Sequence, residues 1–63
     1  MDKIRITESE NGFAIWLIQD GKPHEMDRRG TWADAEEFAF YLAARLKLDV
    51  FYRGQKVEPR GKR

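Results

Sequence analysis

Cysteine is absent from this 63-residue chain, and histidine occurs only once, at His24. Without cysteine the chain can form neither disulfides nor thiolate metal sites, and one histidine does not make a structural metal site. A chain of this length buries only about 60% of the surface that its unfolded form exposes. Small domains compensate with disulfides, a metal or a partner subunit. We therefore expect either an unusually good core or a partner subunit, with a homodimer as the simplest case.

The chain also has no apolar run close to the roughly 20 residues that span a membrane, and we expect no signal peptide. It has no glycine-rich phosphate loop, because its five glycines are spread over turns and the C-terminal segment. We expect a cytoplasmic protein with no membrane contact, no cofactor and no small-molecule substrate.

Residues suited to catalysis are few and have simpler explanations. Nucleophilic catalysis needs a hydroxyl beside a base, but Ser9 falls in a predicted turn and Thr31 is better used as a helix cap. His24 is expected on the surface of an edge strand. The one group of neighbouring carboxylates complements the positive end of a helix dipole: Asp34, Glu36 and Glu37. We predict that the protein is not an enzyme and has no catalytic or metal-binding residues.

The stretch Thr31–Lys47 predicts the only helix. Thr31 is placed as the N-cap, and Asp34 three residues later forms an approximate capping box. At about 100° per residue, five apolar side chains share one face and predict the buried side of the helix: Trp32, Ala35, Ala39, Leu42 and Leu46. Phe40 and Tyr41 fall outside this face, on opposite flanks.

The remaining apolar segments alternate with a period of two and predict strands. Turn dipeptides Asn11-Gly12 and Asp20-Gly21 separate the first three, and Gly54-Gln55 could turn the last strand back into Lys56–Val57. The predicted strands are residues 4–7, 13–19, 24–29 and 48–53. The fold class is therefore α+β: a three-stranded antiparallel meander packed on one helix, plus a C-terminal strand. For this β-β-β-α-β order we predict one domain over residues 1–58 with sheet order 3-2-1-4.

Strand two has apolar residues on both faces, although a single helix can cover only one of them. Phe13, Ile15 and Leu17 point one way, while Trp16 and Ile18 point the other way. Contiguous exposed apolar side chains, aromatic ones above all, mark interfaces. The predicted protein interface combines the surplus residues of the sheet and the helix: Trp16, Ile18, Phe40 and Tyr41.

The net charge of +1 conceals an acidic front and a basic end. Residues 1–44 hold five Lys and Arg against nine Asp and Glu, whereas residues 45–63 hold seven against two. Residues 59–63 are expected to form a basic flexible tail that keeps an apolar-rich domain soluble. The alternative is a phosphate-binding track beside the stacking faces of Phe51 or Tyr52, formed by Arg53, Lys56, Arg60, Lys62 and Arg63.

Two resemblances follow from these short motifs. Gly12-Phe13 in strand two, Ala35-Glu36 at the helix start and the closing segment Val50–Val57 resemble a family of small uncharacterised bacterial and phage ββαβ domains. The ββ(β)α outline is also similar to HicB-type antitoxins and to the arm-DNA-binding domains of phage integrases. The integrase domains read DNA with the sheet face away from the helix, which implies a DNA-contacting role for Arg5, Arg28 and Arg29. Strand two departs from that pattern, because it carries apolar residues where a row of Arg and Lys would be needed.

The leading hypothesis is a small non-enzymatic protein-interaction module that self-associates or covers the surface of another protein. Small size, no cofactor motif and the phage-like resemblance favour an accessory or inhibitory role in a phage or bacterium. The alternative is a nucleic-acid-binding domain that uses the basic C-terminal segment.

Overall fold

The computed structural model describes residues 2–59. It contains five strands and one helix in the order β1 (Lys3–Ser9), β2 (Gly12–Gln19), β3 (Lys22–Arg29), α1 (Trp32–Leu46), β4 (Val50–Tyr52) and β5 (Gln55–Val57). The strands form one mixed sheet with the order β3-β2-β1-β4-β5. The predicted fold class and strand order are confirmed, and the suggested return after Gly54 forms a fifth strand at the edge.

The pairing directions follow from the connections. The short turns after β1 and β2 give antiparallel pairs, as does the turn after β4. The helix carries the chain back, so that β4 pairs with β1 in parallel. Asp20 and Gly21 both have positive φ, at 55° and 78°. A two-residue type I′ turn, whose twist matches that of the flanking strands, requires positive φ at both positions.

The helix begins and ends where its capping residues predict. The Thr31 hydroxyl oxygen accepts a hydrogen bond of 3.1 Å from the backbone N–H of Asp34. At the other end Lys47 adopts the left-handed conformation, with φ 61°, and its N–H donates to the carbonyl of Ala43. The helix therefore stops just before the β4 strand.

The core lies between α1 and one face of the sheet. Its helix side is made of small residues, since Ala35, Ala39 and Ala43 are the buried positions of α1. The largest fully buried side chains come from the facing strands: Ile4, Ile6, Ile15 and Val50. Small side chains on the helix allow it to approach the sheet closely, so the bulky residues of the strands fill the space.

Two helix residues differ from their predicted environment. Leu46, expected in the buried stripe, is 45% exposed, while Ala43 occupies the core instead. The prediction that Phe40 points away from the buried side is also wrong, because it is half-buried and packs against the core. The β4–β5 hairpin widens the sheet beneath that flank, where Phe40 and Val57 line the same depression. Tyr41 is 55% exposed, as expected.

Candidate binding surface

The helix covers one face of the sheet, and among residues 2–59 no second helix covers the other. Side chains paired directly across neighbouring strands share a face, so the strand register assigns each paired residue to one side of the sheet. Phe13, Ile15 and Leu17 of β2 face the helix, which resolves the ambiguity left by the sequence. We call the opposite side the open face; it is formed by Lys3, Arg5, Thr7, Ala14, Trp16, Ile18, Pro23, Glu25, Arg28, Phe51 and Lys56.

A single row across the open face alternates charged and aromatic residues. Arg5 in the central strand β1 is paired with Trp16 of β2 on one side and with Phe51 of β4 on the other. The row continues outward to Glu25 in β3 and Lys56 in β5. We call these five residues the central row. Arg5 therefore lies between two aromatic side chains on adjacent strands.

Trp16 is held in place on this face. Its indole Nε1 donates a hydrogen bond of 2.9 Å to the hydroxyl oxygen of Thr7, which lies two residue pairs further along the β1–β2 ladder on the same face. This bond satisfies the one polar group of the indole, so the ring can remain half-buried on the sheet surface without a desolvation cost. The side chain is pre-ordered for contact with a partner.

Beside Trp16 the open face is concave. A shallow depression of about 260 Å³ is lined by Arg5, Thr7, Trp16, Ile18 and Pro23. Its floor is apolar, since Ile18 is only 9% exposed. The volume lies just below the range of pockets that enclose a drug-sized ligand, so the depression fits a single ring or side chain.

The open face has an excess of positive charge. Four basic side chains, those of Lys3, Arg5, Arg28 and Lys56, share it with one carboxylate, that of Glu25. Arg28 pairs with Glu25 at 2.5 Å, and this hydrogen bond and ion pair raise the pKa of Arg28 above its ordinary value. The single carboxylate is thus already neutralised within the face.

The three remaining cations of the open face differ in their contacts. The Lys3 ammonium lies 5.2 Å from the centre of the Phe51 ring, within cation–π range. Lys56 has two carboxylates at longer distances, Asp49 at 3.6 Å and Glu58 at 3.9 Å. No carboxylate within residues 2–59 forms an ion pair with Arg5, which is exposed. Among the four cations of the open face, Arg5 is therefore the one with neither an ion pair nor a cation–π contact within residues 2–59.

The four predicted interface residues do not form one surface. Trp16 and Ile18 belong to the open face, whereas Phe40 and Tyr41 lie on the helix, on the other side of the molecule. Phe40 turns towards β5, and Tyr41 turns outward beside Phe38 with ring centres 6.2 Å apart. The structure divides the predicted interface into a sheet part and a helix part.

The predicted nucleic-acid contacts are also divided. Lys56 lies on the open face, but Arg53 pairs with Glu8 at the turn between β4 and β5. The three other basic residues of this prediction lie outside the described residues: Arg60, Lys62 and Arg63. Sequence reasoning missed Lys3, whose position beside Phe51 depends on the parallel pairing of β1 with β4. The signal that could have found it is the period-two alternation of β1, which puts Lys3 and Arg5 on one face.

Glu8, Tyr52 and Arg53 form a hydrogen-bonded group at the β4–β5 turn, which we call the Glu8 cluster. The Tyr52 hydroxyl donates a hydrogen bond of 2.7 Å to the Glu8 carboxylate, which also accepts from the Arg53 guanidinium. These two hydrogen bonds hold the pKa of the Glu8 carboxyl below its ordinary value of 4.5, and the bond from Tyr52 has the larger effect. The same contact raises the pKa of Tyr52 above 10.0. The cluster ties the end of β1 to the C-terminal hairpin.

Within residues 2–59, no three or more His, Asp and Glu side chains come together in a group that could hold a metal ion. The only histidine, His24, is exposed on the edge strand β3, as expected. Across the same residues, no helix combines the length and apolar character needed to cross a bilayer.

The fold and its open face define a small α+β domain with one helix on a five-stranded mixed sheet. Comparison with protein-family models, curated proteins and solved structures finds no match for the chain.

Proposed function

We propose that this protein is a non-enzymatic binding module that uses the open face of its sheet to bind a negatively charged macromolecule. The central row carries this proposal: Arg5, without an ion-pair partner among residues 2–59, lies between the aromatic side chains of Trp16 and Phe51. Aromatic residues and arginine are the side chains that contribute most to binding energy at interfaces. When the open face covers the anionic surface of a partner, other molecules cannot contact that surface. This blocking would be the accessory or inhibitory role expected from the sequence.

The charge of the open face argues against its use for self-association. A symmetric dimer brings the same patch of both copies together. Two open faces in contact would place two sets of Lys3 and Arg5 in a shared interface, and like charges in contact cost several kcal/mol. A partner of opposite charge meets the same surface with an attraction that speeds association.

Retention on immobilised heparin, a general polyanion, tests the proposal. Arg5→Gln removes one charge from the open face, and Arg45→Gln removes one from the helix on the opposite side of the molecule. Both arginines are exposed, so the two variants have equal net charge and differ in location. We expect Arg5→Gln to elute at clearly lower salt than Arg45→Gln. Equal elution of the two variants, with folding verified by circular dichroism, would overturn the proposal.

Self-association through the helix is a second candidate. Phe38, half-buried at the margin of the core, and Tyr41, which is 55% exposed, form a ring pair on one flank of α1. Arg29 and Arg45 lie over these rings, at 4.8 Å and 5.5 Å from the ring centres. We call the ring pair of Phe38 and Tyr41 the helix patch. This surface includes Tyr41, one of the two predicted interface residues outside the open face, whereas the other, Phe40, turns towards β5.

A further inference from the structure

The spacing of the two aromatic residues in the central row restricts what they can bind. Trp16 and Phe51 lie on either side of β1, so their backbones are two strand spacings apart, roughly 9.6 Å. Successive nucleotides of a duplex strand rise by only about 3.4 Å. Two neighbouring bases can therefore stack on the two residues, one on each, only if the strand is unstacked and extended.

The cations beside the rings match the spacing of such a strand. Arg5 lies between Trp16 and Phe51, and the Lys3 ammonium is already 5.2 Å from the Phe51 ring. A strand with one base at each aromatic residue places its intervening phosphates over Arg5. Alternating positive and aromatic groups on an open sheet are the arrangement that binds single strands by stacking and charge.

Other anionic partners use less of this surface. An acidic protein offers carboxylates to Arg5 and Lys3, but it meets Trp16 with a planar group only where an aromatic side chain stands beside those carboxylates, whereas every nucleotide carries both a phosphate and a flat base. A duplex keeps its bases stacked inside, and its grooves are entered by a protruding helix or ribbon. The floor of the open face is recessed, since Ala14 and Ile18 are only 3% and 9% exposed.

We propose that the anionic partner is a single-stranded nucleic acid, with one base stacked on Trp16, another on Phe51, and the phosphate between them bound by Arg5. This proposal rests on the proposed function, because it names the ligand of the same face. Lys3 leaves the Phe51 ring when the base arrives and contacts an adjacent phosphate. The contacts are to rings and phosphates, so the binding tolerates many sequences.

Fluorescence anisotropy with end-labelled oligonucleotides of about ten nucleotides tests this proposal. The probes are oligo-deoxythymidine, oligo-uridine, a mixed-sequence duplex of the same length, and a polyglutamate peptide for the acidic-protein alternative. We expect both single strands to bind at least about tenfold more tightly than the duplex, and the peptide to bind more weakly still. DNA and RNA single strands should be bound similarly, since no contact involves the 2′-hydroxyl.

Variants locate the binding. Trp16→Ala should weaken single-strand binding by roughly fivefold to hundredfold, the range found for loss of one stacked base. Arg5→Gln should reduce the slope of log affinity against log salt by about 0.7, one phosphate contact. Arg45→Gln, on the helix, should leave both unchanged. Trp16→Phe keeps an aromatic ring and should retain most of the affinity. This second variant still tests the stacking contact if Trp16→Ala does not fold.

The outcomes separate this inference from the proposed function. If heparin retention depends on Arg5 but no oligonucleotide binds, the anionic-partner proposal stands and the single-strand proposal is overturned. Equal affinity for duplex and single strand, or equal effects of Arg5→Gln and Arg45→Gln on oligonucleotide binding, also overturns it. Tighter binding to polyglutamate than to the oligonucleotides would assign the face to an acidic protein.

Discussion

The indole N–H of Trp16 is bonded to the hydroxyl of Thr7 across the β1–β2 pair, with 2.9 Å between Nε1 and Oγ1. Both residues lie on the face that the helix does not cover. The bond keeps a large aromatic side chain ordered on an open surface, where it otherwise gains little from packing. An ordered ring loses less conformational entropy when a partner binds.

Replacing Thr7 with valine, which has nearly the same shape, removes the acceptor for the indole. We expect a loss of about 1 kcal/mol in the free energy of unfolding, measured by urea denaturation, because the half-buried indole N–H loses its partner. Thr7→Ser keeps the hydroxyl and should keep most of the bond. If Thr7→Val and Thr7→Ser are equally stable, the bond contributes nothing to stability.

Two glycines allow a matched test of backbone strain. A Cβ at Gly12, where φ is 151°, would lie 2.3 Å from the carbonyl oxygen of Arg29, whereas Gly21 with φ 78° has no atom within 4 Å of that position. Gly21→Ala should cost about 1 kcal/mol for the left-handed backbone alone. Gly12→Ala should cost at least about 3 kcal/mol, or prevent folding, because the clash is added to the strain. Thermal unfolding of both variants shows whether the close approach matters.

The Glu8 cluster predicts a pH effect of known sign. Because the pKa of Glu8 is held below 4.5 in the folded protein, its stabilisation is present above that pH and is lost as the pH falls through the folded value. Tyr52→Phe removes the hydrogen bond that contributes most and should move the Glu8 pKa back towards 4.5. A carbon-13 NMR titration of the Glu8 carboxyl in both proteins measures the change. An unchanged midpoint would mean that the Tyr52 contact is not maintained in solution.

Self-association is tested by light scattering over a concentration series. If the helix patch forms a dimer, the apparent mass should rise with concentration and Tyr41→Asp should keep the protein monomeric. Trp16→Ala should leave the mass unchanged, because the open face is not part of that contact. Loss of the dimer in Trp16→Ala but not in Tyr41→Asp would place the dimer interface on the sheet. A mass that stays monomeric throughout would remove the helix candidate.

Shortening the chain separates the open face from the C-terminal tail. A protein that ends at Glu58 keeps β5, since Val57 pairs with Val50 within the sheet. We expect it to bind oligo-deoxythymidine more weakly than the full chain does. Trp16→Ala should reduce that affinity by the same factor in the shortened protein as in the full chain. If the shortened protein does not bind at all, the tail carries the affinity, as the alternative hypothesis from the sequence states.

Local signals explain why much of the fold was predictable. The Thr31 cap, the Asp20-Gly21 turn and the alternation in β1 depend on residues close together in the chain, and each forms as expected. The environment of Phe40 was not predictable in this way. Helical periodicity gives the direction of a side chain but not the width of the sheet beneath it, and β5 supplies the contact.

The candidate surface was predictable only in part, for a related reason. Trp16 and Ile18 were identified because β2 is apolar on both sides, yet this same property hid which side the helix covers. The neighbours of Trp16 on this face are set by the strand register. Arg5 is paired with Trp16 across the antiparallel strands β1 and β2, and Arg5 is also paired with Phe51, 46 positions later in the chain, across the parallel strands β1 and β4. Sequence patterns do not encode such long-range pairings directly.

By itself, the sequence determined the types of the elements, the helix boundaries and the alternation that places basic residues on one side of β1, because these depend on neighbours within a few positions. Tertiary structure alone decided that the helix covers Phe13, Ile15 and Leu17, and that Arg5 lies between Trp16 and Phe51. The position of Phe51 beside Arg5 required the parallel return of β4 after the helix. The helix covers the side of the sheet that carries Phe13, Ile15 and Leu17 because this places the larger apolar set of β2 in the core. The Thr31–Lys47 stretch thus organises the chain, while the open face across the sheet carries the proposed function.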